Sequence, residues 1–204
     1  MFDSIKQFCD KSANEFQYIS EERKVILTEL AEAIKADKLK KGASQLIFIC
    51  THNSRRSHLA QIFATVAAHY YNVSDIYNFS GGTEATALFK NIVYTLQKIG
   101  FDIHKTGDDF NPDFFIRFGN HLCLTCFSKA FDDKNNPQLD FIAVMTCSDA
   151  EQNCPFIPTA TKRINVKYND PKVSDNTDHW EEIYMERASE ICREMLFTFS
   201  LLKL

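Results

Sequence analysis

The chain contains no run near the roughly 20 consecutive apolar residues that a membrane span needs. Its N-terminal stretch, MFDSIKQFCDKSANEF, places charges among its apolar positions, unlike a secretory leader. Strong charge of either sign is also missing. Twenty-three Lys and Arg against 27 Asp and Glu give a formal net charge of −4, with no basic stripe of the kind that footprints nucleic acid or an anionic membrane. Phosphate chemistry, if present, must rest on a local site. Only five prolines in 204 residues, with 45% hydrophobic content, exclude disordered and collagen-like chains and leave one globular domain with some extra chain. Seven cysteines, an odd number without the density of a secreted disulfide framework, are expected to divide into core thiols and reactive ones. The expectation is a soluble, cytoplasmic protein.

Residues 1–43 read as an N-terminal helical extension. Phe2, Ile5, Phe8 and Cys9 form one apolar stripe and Ile26, Leu27, Leu30, Ala33 and Ile34 another, both at helical spacing. Ser20 is placed to cap the second helix, with Glu21 and Glu22 in its first turn and Gly42 after its lysine-rich end. From residue 44 to 204 short apolar runs alternate with amphipathic stretches, the pattern of βαβ units and a parallel sheet. Strands are expected at 46–50, 76–80, 141–145 and 163–166, and helices at 56–71, 86–99 and 178–202. Between them, 113–127 reads as a β-hairpin turning at Gly119-Asn120. The fold class is therefore α/β, an open doubly wound parallel sheet of about four strands carrying a hairpin insertion and the N-terminal helices.

The strongest chemical signal is Cys50-Thr51-His52-Asn53-Ser54-Arg55-Arg56-Ser57. A short loop from a strand end into a helix start aims successive N–H groups into one concavity, where the helix dipole adds positive potential. That cradle suits a tetrahedral oxyanion. Arg56 offers a planar fork of donors to two of its oxygens. Cys50, surrounded by amides, dipole and guanidinium, is favoured as a thiolate nucleophile. Ser57 can donate its hydroxyl proton toward the sulfur, and Asn53 is among the few non-glycine residues that tolerate a positive φ in so tight a loop. The Gly-Lys-[Ser/Thr] ending of a nucleotide P-loop is missing. The bland alternative is a buried strand-end cysteine before a helix with two arginines in its first turn, an arrangement that opposes the dipole unless an anion neutralises it.

Asp170-Pro171 follows the last expected strand, and proline holds Asp170 outside the helical region. Both it and Cys50 should lie at the C-terminal edge of the sheet, where a carboxyl can act as general acid; an ordinary Asp-Pro turn is the plainer reading. Cys147 and Cys154 flank a segment that precedes Pro155. If 148–154 are helical, the two thiols share a face about 10.5 Å apart along the axis, beyond the roughly 7 Å Cα separation that a disulfide allows. They pair only if the segment unwinds, as a redox switch would; otherwise they are two separately packed thiols.

CTHNSRRS after LIFI, SGGTEAT after the second strand, TCSDAEQNCP and the late DP together resemble the low-molecular-weight protein tyrosine phosphatase superfamily, in particular its thioredoxin-coupled arsenate reductase branch, over about residues 45–202. The resemblance implies Cys50 as nucleophile, Arg56 as oxyanion clamp, Asp170 as general acid, and Thr51, His52, Asn53, Ser54, Arg55 and Ser57 as oxyanion-binding or supporting loop residues. It further implies that Cys147 attacks the sulfur of a Cys50–arsenic adduct, leaving a Cys50–Cys147 disulfide. Cys154 then takes over the disulfide and presents it to thioredoxin as electron donor. No cofactor or metal is implied, and the substrate is arsenate or, as the alternative, a phosphotyrosine or aryl phosphate ester hydrolysed through a cysteinyl-phosphate. Several positions depart from the family pattern: His52 stands in place of a usual glycine, Arg55 in place of a common second cysteine, and Gln61 in place of an acidic residue that helps bind potassium in some reductases.

Cys123 and Cys126, with His121 nearby, have the spacing of a metal pair. In a regular strand, residues three apart point to opposite faces and cannot share one ion. His58 is expected to be a solvated helix-start histidine. Phe110, Phe114, Phe115, Phe118, Phe127 and Phe131 are expected to form the hairpin's core, with a wall beside the active site as the sharper alternative.

Overall fold

Ser20 starts the main N-terminal helix as its residue type predicts: its Oγ accepts from the Arg23 N–H, and Gly42 ends the helix at φ 79°. The computed structural model describes residues 1–107, 109–148 and 157–202. Helix α1 spans Asp3–Ala13 and α2 Glu21–Lys41. Strand β1 (Ser44–Cys50) leads into α3 (Arg56–Tyr70), and β2 (Ile76–Gly82) into α4 (Lys90–Ile99). Then come β3 (Asp102–Thr106), β4 (Asp113–Gly119), β5 (Leu122–Cys126), β6 (Phe141–Met145), β7 (Ala160–Asn165) and α5 (Trp180–Ser200).

Four of the strands form a parallel sheet in the order β2-β1-β6-β7. One face of the sheet, carrying Leu46, Phe48, Ile142, Val144 and Ile164, packs into a large core shared with the five helices named above. The other face, with Ile47, Ile49, Ala143 and Met145, packs against Phe131, Cys147 and Ile157. Ile5 and Cys9 of α1 and Leu27, Leu30 and Ile34 of α2 are fully buried in the large core. Among the described residues no helix is long and apolar enough to cross a membrane.

Three sequence expectations need correction. Helix α4 begins at Lys90, not near Thr86, because 83–89 is bound to the loop after β1: Thr86 Oγ1 donates to the His52 carbonyl (3.0 Å) and the Phe89 N–H to the Ser54 carbonyl (3.0 Å). The hairpin gains a third antiparallel strand, β3, which pairs with β4; with Ile103 as its one apolar residue, it carries no alternating signal. The hairpin also turns at Asn120-His121. A bulge between Arg117 and Gly119 shifts the register so that Gly119 pairs with Leu122.

Candidate active site

β1 delivers Cys50 to the C-terminal edge of the sheet, opposite Gly82 of β2, and the chain from Thr51 to Arg55 curls into the start of α3. Asn53 adopts φ 44°, the left-handed backbone that its residue type tolerates. Its side chain fixes the direction of a relay. The Lys129 N–H can only donate, and it donates to Asn53 Oδ1 (2.9 Å). Asn53 Nδ2 therefore faces Ser57 and donates to its Oγ (2.8 Å). Having accepted there, the Ser57 hydroxyl has its own hydrogen free to donate to Cys50 Sγ, 3.1 Å away. Cys50 is buried, at 3% exposure.

The loop is held from outside by β2 and by the chain after β5. The Thr83 N–H donates to the Cys50 carbonyl and the Glu84 N–H to that of Thr51. Ser128 Oγ donates to the His52 carbonyl (3.0 Å). Gly82 lies so close that a Cβ there would sit 2.3 Å from the Glu84 oxygen and 2.7 Å from both Asn53 N and Thr51 O, so only glycine fits without moving the loop backbone. His52 Nδ1 lies 2.7 Å from Glu84 Oε1 at the half-exposed rim.

The two consecutive arginines meet two aspartates from the turn after β7. Arg56 donates to Asp170 Oδ2 (2.6 Å) and to the Tyr168 carbonyl (3.2 Å), leaving further guanidinium donors for an oxyanion. Asp170 in turn accepts from the Lys172 N–H and starts a short 3-10 turn at Pro171. Arg55 is held differently. It donates to Tyr184 Oη (2.7 Å) and Asp175 Oδ2 (2.6 Å), and its guanidinium lies 3.9 Å above the Phe89 ring. Tyr184 completes this set by donating to Asp175 Oδ1; burial, reinforced by Asp175, pushes its phenol pKa up. Arg55 thus anchors the loop to α5 and the Asp175 turn. The two carboxylates also answer the dipole problem of paired arginines at a helix start.

Cys147 follows β6, where the Thr146 N–H and Oγ1 both donate to the Ile49 carbonyl (2.7 and 2.8 Å). This brings Cys147 Sγ within 3.5 Å of Thr51 Oγ1, one residue from Cys50, in a buried position. Cys154 lies outside the described residues. Gln61 is buried, donates to the Asn78 carbonyl (3.1 Å) and faces the Cys126 thiol with its oxygen. Cys123 is exposed and Cys126 buried, and burial pushes the Cys126 thiol pKa up to about 12.

His58 corrects the sequence expectation of a solvated residue. It is fully buried, with Nδ1 3.2 Å from Ser80 Oγ, because β2 covers this face of α3's first turn. Burial, followed by the charge of Lys129, lowers its pKa to about 3. Gly82, Ser128, Lys129, Asp175 and Tyr184 were not foreseen as site residues. Of these, only Gly82 had a local signal, inside SGGTEAT; the others are joined to the loop by contacts across long stretches of sequence.

Curated relatives agree with this architecture. The chain is 27% identical to an arsenate reductase of Bacillus licheniformis over 157 residues, which is 76% of this chain and 94% of that protein. It is 28% identical to arsenate reductase 1 of Staphylococcus epidermidis over the same shares. The chain is thus similar to curated arsenate reductases over most of their length. No family model matches the chain. The fold recurs in the crystal structure of a YwlE mutant from Bacillus subtilis, at TM-score 0.54 and 15% identity over 79% of this chain and all of that one. It recurs again in an arsenate reductase in the phosphate-binding state, at TM-score 0.50 and 15% identity over 77% of this chain and 97% of that one.

Proposed function

We propose that the protein reduces arsenate to arsenite in the cytoplasm, with Cys50 as nucleophile. The observation that carries this reading is one loop that ties Cys50 Sγ to the Asn53–Ser57 relay, pairs its Arg56 with Asp170 and sets its Thr51 hydroxyl 3.5 Å from Cys147 Sγ. Arsenate takes the cradle of loop N–H groups and the free donors of Arg56. The Cys50 thiolate attacks arsenic, and an arsenate oxygen leaves as water with a proton from Asp170. Cys147, as thiolate, then attacks Cys50 Sγ. The sulfur–sulfur bond forms, and the electron pair of the breaking sulfur–arsenic bond stays on arsenic, reducing it from As(V) to As(III) and releasing arsenite. Cys154 attacks Cys147, freeing Cys50, and an external dithiol such as thioredoxin reduces the Cys147–Cys154 disulfide by exchange.

A phosphatase activity needs only Cys50, Arg56 and Asp170, and the 2.6 Å Arg56–Asp170 contact supports it as the second reading. In that case Asp170 protonates the phenolic leaving group and water later hydrolyses the cysteinyl-phosphate.

One experiment separates the two. NADPH oxidation by thioredoxin reductase, thioredoxin and this protein is followed with and without arsenate, alongside phenol release from an aryl phosphate. The reductase reading expects arsenate-dependent NADPH oxidation that Cys147→Ser and Cys154→Ser abolish and Cys50→Ser also abolishes. Aryl phosphate turnover without arsenate-dependent oxidation would overturn it in favour of the phosphatase. If neither activity appears, both readings fail.

A further inference from the structure

Lys129 is a buried lysine, 5% exposed, whose backbone is already part of the loop's scaffold. Its N–H sets the Asn53 amide, and its carbonyl accepts from the N–H of Gly82 (2.9 Å), the glycine pressed against the loop. Its side chain lies in the interior with Nζ 4.4 Å from the centroid of the Phe127 ring. The titratable groups its charge reaches are His58 on α3, Cys126 at the end of β5, Asp113 on β4 and Asp133 in the following turn. His58 and Cys126 are both held in their neutral forms by burial. Burial likewise holds the lysine's pKa below its ordinary range, against the pull of Cys126 and the two aspartates. An ammonium in such a place opposes folding, and an apolar chain of the same length would fill the space without that cost. A charge in a low-dielectric interior is also felt much farther than one in water.

We propose that Lys129 is a positioning residue for the anion loop: its peptide orients the Asn53–Ser57–Cys50 relay, and its buried ammonium supplies positive potential that favours both the Cys50 thiolate and a bound tetrahedral dianion. The proposal deepens the reading of the loop as an oxyanion site and rests on it. Linkage makes it reciprocal. If the ammonium favours the dianion, a bound dianion favours the ammonium by the same factor, and the Lys129 titration moves to higher pH.

Sulfate is the probe, since its charge is constant across the working pH range. Sulfate protection of Cys50 from iodoacetamide, and the pH profile of that alkylation, are measured in the wild type, Lys129→Met and Lys129→Arg. In the Met variant, protection is expected to weaken roughly three- to tenfold, the range of a modest site-to-site coupling, and the alkylation profile to move to higher pH. Arg is expected to restore most of both. A purely structural role would lower the melting temperature without moving either. In the wild type, 13C-lysine NMR, with Lys129 assigned from the Arg variant, is expected to show its titration raised by saturating sulfate. This readout stands even if the Met variant does not fold. An unmoved Lys129 titration, or a folded Met variant with unchanged protection and profile, overturns the proposal alone. If sulfate fails to protect wild-type Cys50, the oxyanion reading falls and this proposal with it.

Discussion

His58 shows how one side chain under the loop makes stability depend on pH. Its pKa is about 3 in the folded chain against roughly 6.5 in an unfolded one. Between those values the unfolded chain binds more protons, so stability rises with pH. The contribution is complete above about pH 6.5 and is lost as pH falls toward about 3, at up to about 1.4 kcal/mol per pH unit. His58→Gln keeps an amide near Ser80 and removes the titration. Urea unfolding at pH 6.5 and pH 5 is therefore expected to show the wild type losing about 2 kcal/mol more than the variant; equal losses would show that His58 is not held neutral. The other groups titrate alike in both proteins and cancel. Nothing local in the sequence revealed this histidine's environment, because its burial comes from Ser80 on β2. The residues within the Cys50 loop were legible for the opposite reason: their geometry is fixed by neighbours along the chain, so Asn53 could be read as the positive-φ position and Ser57 as the donor to sulfur before any fold was known.

Among the elements, α2 and α5 are joined by a two-point ion pair. Arg23 Nε and Nη2 donate to the two carboxylate oxygens of Glu194, each at 2.8 Å, and the guanidinium stacks 4.9 Å from the centroid of the Tyr168 ring. Burial alone would lower the Arg23 pKa, but Glu194 reverses the direction and raises it. Glu194→Gln leaves the buried cation without its counter-charge and is expected to destabilise the fold by about 3 kcal/mol. Arg23→Met supplies the other single variant, and Arg23→Met combined with Glu194→Gln removes both charges together and is expected to recover most of that loss. Chemical denaturation of the four proteins in a double-mutant cycle measures the coupling, and additive effects would refute it. Elements with strong periodicity or residue-type caps, such as α2 and β6, were legible in the sequence. The short β3 was not, since its pairing with β4 is decided by the partner strand, and the late start of α4 was hidden because Ser54 and His52 take the hydrogen bonds of 83–89.

At the scale of the whole molecule, the two N-terminal helices bear on the site chiefly through the core, with the stacking of Arg23 on Tyr168, whose carbonyl holds Arg56, as a second route. Each helix shows an apolar stripe in the sequence but no partner surface; the structure supplies it, with α1 against α5 and α2 across β1, β7 and α5. Ile5, Leu27, Leu30 and Ile34 are all fully buried in the cluster that also holds Leu46 and Phe48 of β1, the strand that delivers Cys50. Burying four such side chains contributes roughly 6–12 kcal/mol at about 1.5–3 kcal/mol each, comparable with the entire stability of a typical domain, about 5–15 kcal/mol. A chain of residues 44–204 is thus expected to lose its cooperative fold and expose the α5 and β1 faces that the helices cover, giving strong binding of a hydrophobic dye and no defined melting transition. Cooperative melting of that shortened chain, with sulfate protection of Cys50 intact, would instead make the helices an accessory layer. The loop's own contacts come from β2, the chain after β5, the residues after β6, the turn after β7 and Tyr184 of α5, all of which the shortened chain retains, so loss of the site on truncation would be a consequence of losing the core beneath it.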